Sequence, residues 1–144
     1  MPAKTPRPSP APKASRGKRP NILYIMFDQL APQFLPSYGH KVVKAPNLSR
    51  LAAEGVQFDS AYTNSPLCAP GRFSMMAGQL ASRIGAWDNA AEFRSDIPTF
   101  AHYLRLAGYR TCLSGKMHFV GPDQLHGFED RVTTDMYPGD FGWT

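Results

Sequence analysis

Several things are scarce in this chain of 144 residues, and each scarcity excludes a class of protein. It has two cysteines, Cys68 and Cys112, so at most one disulfide can form and no disulfide-stapled scaffold is possible. It has no run of about 18 apolar residues, so no membrane-spanning helix and no membrane partner are expected. It has no internal repeat, which argues against a solenoid or propeller. The N-terminus lacks the apolar centre and small-residue cleavage site of a secretory signal. The expected compartment is therefore the cytoplasm, where both thiols stay reduced.

Acid is absent from residues 1–20, which hold Lys4, Arg7, Lys13, Arg16, Lys18 and Arg19 together with six of the fourteen prolines. The net charge is +5 overall and +6 over residues 1–20, so residues 21–144 carry −1. The basic character thus belongs to the first segment and says little about the partners of the rest. Residues 1–19 read as a disordered basic, proline-rich extension, because they cannot bury enough surface to offset their ordering entropy. A nucleic-acid-binding tail is the alternative, and its binding would be salt-sensitive.

Order is expected from Pro20. Ile22-Leu23-Tyr24-Ile25-Met26-Phe27 is an apolar run of strand length without polar alternation, as in a strand buried on both faces. Asp28 ends it. A turn-rich stretch precedes a helix opened by Pro46-Asn47, with Leu48, Leu51 and Ala52 on one face and Gly55 as its stop. Val56 to Tyr62 is expected as a second strand. Arg72 to Ala77 is expected as a short helix stopped by Gly78, and Thr99 to Ala107 as another stopped by Gly108. Tyr109 to Leu113 would form a third strand leading to Ser114-Gly115-Lys116. This alternation describes part of an α/β layered domain, in which ligands bind beyond the C-terminal ends of the strands. Asp28, Lys116 and His118 all fall at or just after such ends.

Cys68-Ala69-Pro70-Gly71-Arg72 is the most suggestive stretch. A lone free cysteine is commonly a small buried hydrophobe, and that reading stays open. The alternative is a reactive group: the proline-rich loop opens a helix, whose N-terminus favours an anion, and Arg72 adds a fixed cation. Lys116-x-His118 reads either as an exposed loop pair or as part of a site. Cys112, within a strand, is expected in the core. His102 is expected to be packed or solvated on its helix, and His40 and His126 carry no assigned role.

The pentapeptide, followed by Met75-Met76-Ala77-Gly78, resembles the signature of type I sulfatases, in which the cysteine is oxidised to formylglycine. Pro20-Asn21-Ile22 through Asp28, Ala45-Pro46-Asn47-Leu48, and Gly108-Tyr109-Arg110 through Gly115-Lys116-Met117-His118 are similar to further blocks of that family, in the same order. Within the family the nearest resemblance is to choline sulfatases, through Asp28-Gln29, Asn64 to Pro70, Gly85-Ala86-Trp87-Asp88-Asn89-Ala90 and Gly121 to Phe128.

The resemblance implies that residues 20–144 form the N-terminal segment of an alkaline-phosphatase/sulfatase-like α/β domain, a sheet sandwiched by helices. It implies a sulfuric ester hydrolase acting on a small sulfate ester such as choline sulfate. Cys68, as hydrated formylglycine, would be the nucleophile and a metal ligand, with Asp28 as a second ligand. The metal would be Ca2+, or Mg2+ or Mn2+, a hard cation suited to oxygen donors. Arg72 would hold the hydrate, Lys116 would bridge it to a substrate oxygen, and His118 would assist collapse of the hemiacetal. Asn89 and Trp143 would contact substrate, Trp143 through the face it offers a trimethylammonium group.

A cysteine-oxidising formylglycine-generating or sulfatase-maturing enzyme is the implied partner, and the full-length form is expected to be homo-oligomeric. Two departures stand out: Gln29 where many sulfatases have a second acid, and Gly71 where serine is more common. Phosphonate monoester or phosphodiester hydrolases of the same superfamily are the alternative, although they tend to replace the lysine and histidine. The family's remaining metal ligands lie far downstream in sequence. The 144-residue chain alone is therefore expected to be inactive and, with uncovered strand edges, prone to associate.

Overall fold

A computed structural model of the chain describes residues 19–133 and 135. Residues up to Ala31 and residues from Pro32 onward form two separate units.

In the first unit the apolar run Ile22–Phe27 is not a strand, contrary to expectation. Its side chains are exposed, from 39% at Met26 to 84% at Leu23. Its sequence pattern suits a ladder, but a strand exists only where a neighbour completes its hydrogen bonds. Among the described residues no ladder forms along it.

The second unit begins with two 3-10 turns, Pro32–Phe34 and Pro36–Tyr38. The first α-helix, α1, spans Pro46–Glu54, with Pro46 in the first turn where its missing N–H costs nothing, and Gly55 at the C-cap. Its start and stop match the sequence expectation, yet none of its residues is buried. Val56 to Tyr62, expected as a strand, also has no ladder, and Val56, Phe58 and Tyr62 are exposed.

From Cys68 onward the chain packs. Helix α2 spans Cys68–Ala77, starting before the expected Arg72. Pro70 does not delay it, because a proline in the first turn forfeits only an N–H with no partner inside the helix. Gly78 stops it in the left-handed conformation, φ 64°, with its N–H on the Ser74 carbonyl. Helix α3 spans Phe100–Leu106 with Thr99 as N-cap. His102, at the third helical position, closes a capping box: its Nδ1 accepts from the Thr99 backbone N–H at 3.1 Å.

The expected strand over Tyr109–Leu113 contracts to β1, Cys112–Leu113, which pairs in parallel with β2, Asp130–Arg131. The register is Cys112 to Asp130 and Leu113 to Arg131. Cys112 is a correction: it is exposed, and the alternating pleat buries its neighbours Thr111 and Leu113 instead.

The core is aromatic and mostly loop-derived. Phe73 of α2 stacks on Phe93 at 4.5 Å, Phe93 stacks on His126 at 4.2 Å, and Phe119 meets the His126 edge at 4.5 Å. Ala69, Met76, Ala101, Leu113 and Phe128 join them. Gly127, φ 94°, admits no side chain, since a Cβ would lie 2.7 Å from the His102 backbone nitrogen. That close approach seats the 126–128 turn on the start of α3. No described helix is long and apolar enough to cross a membrane.

Candidate active site

The N-terminus of α2 presents Cys68, and the residues before it explain how. Thr63 Oγ1 donates to the Ser65 carbonyl at 2.8 Å, and Leu67, in extended conformation, acts as N-cap. Leu67 has no side-chain oxygen to satisfy the helix's first N–H groups. Asn89 supplies one from a distant loop: its Oδ1 accepts from the Ala69 N–H at 3.0 Å. Gly71 is also explained here, because a Cβ at this position would sit 3.0 Å from the Ser65 carbonyl oxygen. The glycine that departs from the common pattern suits a loop drawn close over the helix's first turn.

Lys116 and His118 reach the same place from the loop after β1. Lys116 Nζ lies 3.6 Å from Cys68 Sγ. Arg72, only 6% exposed, donates from a guanidinium nitrogen to the Lys116 carbonyl at 2.6 Å. The arginine thereby joins α2 to the lysine's own backbone, a charge-assisted bond of the stronger kind. His118 is buried, at 1% exposure, and takes a left-handed backbone, φ 61°, uncommon for a residue with a side chain.

The His118 ring donates from Nε2 to the Asn89 carbonyl at 3.0 Å. A carbonyl can only accept, so the proton is on Nε2 and the neutral ring keeps its lone pair on Nδ1. Burial, and then the positive charge of Lys116, hold the His118 pKa below its ordinary value. At neutral pH the ring is the neutral, proton-accepting form. Asn89 thus does two things unread in the sequence: its side chain caps α2 and its carbonyl orients His118.

The structure accordingly brings together Cys68, Arg72, Lys116, His118 and Asn89. Asp28 is exposed in the first unit. Trp143 lies outside the described residues, as does nearly all of the basic 1–19 segment. Among the described residues no three His, Cys, Asp or Glu side chains converge as a metal site would require. The half-buried thiol, ammonium, guanidinium and neutral imidazole suit an anionic, tetrahedral ester held over a helix N-terminus.

The chain is similar to known proteins along most of its length. The sulfatase family model matches residues 20–137. The choline-sulfatase of Rhizobium meliloti (strain 1021) is 63% identical over 126 residues, covering 88% of this chain and 25% of that protein. The N-acetylglucosamine-6-O-sulfatase of Bacteroides thetaiotaomicron is 36% identical over 118 residues, covering 82% and 21%. A solved structure, BT4656 in complex with its substrate D-glucosamine-2-N,6-O-disulfate, superposes with a TM-score of 0.74 at 37% identity, covering 79% of this chain and 23% of that one. The chain spans about a quarter of the length of the curated relatives it matches. Its fold is that of the corresponding part of an alkaline-phosphatase-like α/β domain, and the chain belongs to the sulfatase family.

Proposed function

We propose that this chain carries the nucleophile half of a sulfuric ester hydrolase site whose substrate is a small sulfate ester, choline sulfate in first place. The observation that carries the reading is the meeting of Cys68, at the start of α2, with Lys116 Nζ at 3.6 Å, on a loop that Arg72 fastens at 2.6 Å. The identity of 63% to a choline-sulfatase supports the choice of ester.

Cys68 is proposed to act as formylglycine, whose hydrate supplies a nucleophilic oxygen and a second hydroxyl able to expel sulfate afterwards. This chain's own residues then have separate tasks. Lys116 neutralises the sulfuryl oxygens and holds the ester over the helix N-terminus. Arg72 fixes the Lys116 backbone and excludes water from beneath it. His118 accepts a proton at Nδ1, which its Nε2 bond to Asn89 keeps available. Asn89 and Trp143 are proposed on the substrate side.

The described residues do not by themselves enclose a metal. Asp28 and an oxygen of the Cys68-derived hydrate are proposed as ligands that would hold a hard divalent cation such as Ca2+, Mg2+ or Mn2+, with further donors from outside residues 20–144. Hydrolysis is therefore proposed to need the rest of a sulfatase domain, with oxidation of Cys68 by a formylglycine-generating or sulfatase-maturing enzyme. A cytoplasmic, homo-oligomeric full-length enzyme completes the reading.

The test is a chimera in which residues 20–144 replace the matching segment of the Rhizobium meliloti choline-sulfatase. The chimera is expected to hydrolyse choline sulfate, the same chimera with Lys116→Ala to lose about a hundredfold or more in kcat, and the 144-residue chain alone to turn over nothing. A well-folded chimera that is inactive, or active without Lys116, contradicts the proposal.

A further inference from the structure

His118 occupies a strained backbone position, φ 61°, and the carboxylate that holds it there comes from Asp135. Asp135 turns its carboxylate into the loop that carries Lys116 and His118. The Met117 N–H donates to both carboxylate oxygens, at 3.1 and 3.2 Å, and the Phe119 N–H donates to Oδ2 at 3.2 Å. These two N–H groups flank His118, whose φ of 61° turns the backbone into a concave nest of donors that fits an anion. The Asp135 side chain is wholly buried.

The carboxylate is itself held. Arg131 donates to Asp135 Oδ2 at 2.6 Å, with its side chain only 9% exposed. The same guanidinium donates to the Gln124 carbonyl at 2.7 Å and to Gln124 Oε1 at 3.0 Å. Gln124 returns to the loop, donating from Nε2 to the Phe119 carbonyl at 2.9 Å and the Gly121 carbonyl at 2.8 Å. On the other side Arg72 holds the Lys116 carbonyl. The 116–121 loop is thus gripped at 116 from α2 and at 117, 119 and 121 from the Asp135–Arg131–Gln124 network.

We propose that Asp135 is a positioning residue for the reaction: it keeps His118 in the left-handed conformation and so sets Lys116 and His118 against Cys68. The proposal rests on the reading of Lys116 and His118 as site residues, but its geometry is independent of any activity. A strained backbone persists only where its surroundings over-determine it, and Asp135 is the group that does so on both sides of His118. Burial alone would raise the Asp135 pKa. The N–H groups of His118 and Phe119, then Arg131, then the Met117 N–H, outweigh burial and hold it below the usual carboxylate range.

The test is a nuclear magnetic resonance comparison of the chain with its Asp135→Asn and Asp135→Glu variants. In the unchanged chain the Met117 and Phe119 amides are expected to exchange slowly and to shift together as one carboxylate titrates below the ordinary range. His118 is expected to show a single Nε2–H tautomer. In Asp135→Asn the common titration vanishes, exchange at both amides rises about tenfold, and the His118 tautomer becomes mixed, while the Phe73 and Met76 amides stay protected. Should that variant fail to fold, Asp135→Glu keeps a carboxylate, and the shared titration is expected to persist at altered shifts. Met117 and Phe119 amides that exchange at the rate of an unstructured chain, or an unchanged His118 tautomer in Asp135→Asn, overturn the proposal. Failure of the sulfatase reading would show separately, as a Cys68 that remains a thiol and a chimera that hydrolyses nothing.

Discussion

Residues 32–67 and residues 68–133 are written in the same alphabet of apolar spacing and stop signals, yet only the second stretch buries anything. Every buried residue among those described lies at Ala69 or beyond. α1 has a proper start, a glycine stop and an apolar face, and Leu51 on that face is 53% exposed. α2 has a weaker amphipathic pattern and is buried at Ala69, Pro70, Arg72, Phe73, Ser74 and Met76. Periodicity thus marks which face can be covered, whereas cover itself depends on what arrives from elsewhere. In the second stretch it arrives from the aromatic loops at Phe93, Phe119 and His126.

Truncating one side chain in each stretch is expected to separate them most. Phe93→Ala removes the ring stacked between Phe73 and His126 and is expected to cost about 3–5 kcal/mol. Leu51→Ala, on the exposed face of α1, is expected to change stability by no more than about 0.5 kcal/mol. Denaturant midpoints with matched slopes check both, and equal costs would erase the distinction between the two stretches.

Acid is the next lever. His126 is fully buried between Phe93 and Phe119, and neither ring nitrogen has a hydrogen-bond partner among the described residues. Burial lowers its pKa to about 4, against the opposing pull of Asp123 at 3.6 Å. The folded state thus refuses a proton that the unfolded chain accepts near its ordinary value of 6.5. Stability is full above that value and falls as pH drops from 6.5 toward 4, by up to about 3 kcal/mol from this residue. His118, shifted in the same direction, adds to the loss. Stability measured against pH in His126→Leu is expected to be flatter over this window, and an unchanged slope would contradict the assignment.

Asn89→Ala is expected to destabilise the second stretch least, by about 1 kcal/mol, because it removes the oxygen that caps α2 at Ala69. The Asn89 carbonyl that orients His118 is backbone and survives the substitution. Thermal unfolding of the variant should show the small loss while the His118 ring resonances stay in place.

Much of the site was legible in the sequence because its residues carry local signatures. Cys68 and Arg72 lie one helical turn apart, and Lys116 and His118 follow a strand end. The structure brings these four side chains to one place, whereas Asp28 follows no strand among the described residues. What remained hidden is what pairing across long separations decides. No local pattern shows that Asn89 would cap α2, that Asp130–Arg131 would pair with Cys112–Leu113, or that Asp135 would enter the nest around His118. The runs Ile22–Phe27 and Val56–Tyr62 failed as strands for the converse reason: their side chains suit a ladder, and among the described residues none is completed. Cys112 erred by one step of the pleat, the shift that exchanges the two faces of a strand.

Cys68 is proposed as a nucleophile precursor rather than a structural thiol, and the mass of its peptide decides between the two. The chain would be expressed together with a cysteine-oxidising formylglycine-generating enzyme, and the fragment holding Cys68-Ala69-Pro70-Gly71-Arg72 weighed beside the fragment holding Cys112. The first is expected to lose the mass of hydrogen sulfide, gain one oxygen and react with an aldehyde-trapping hydrazide, while Cys112 remains a thiol. A Cys68 fragment that keeps its full thiol mass under conditions where a known sulfatase substrate is converted would contradict it.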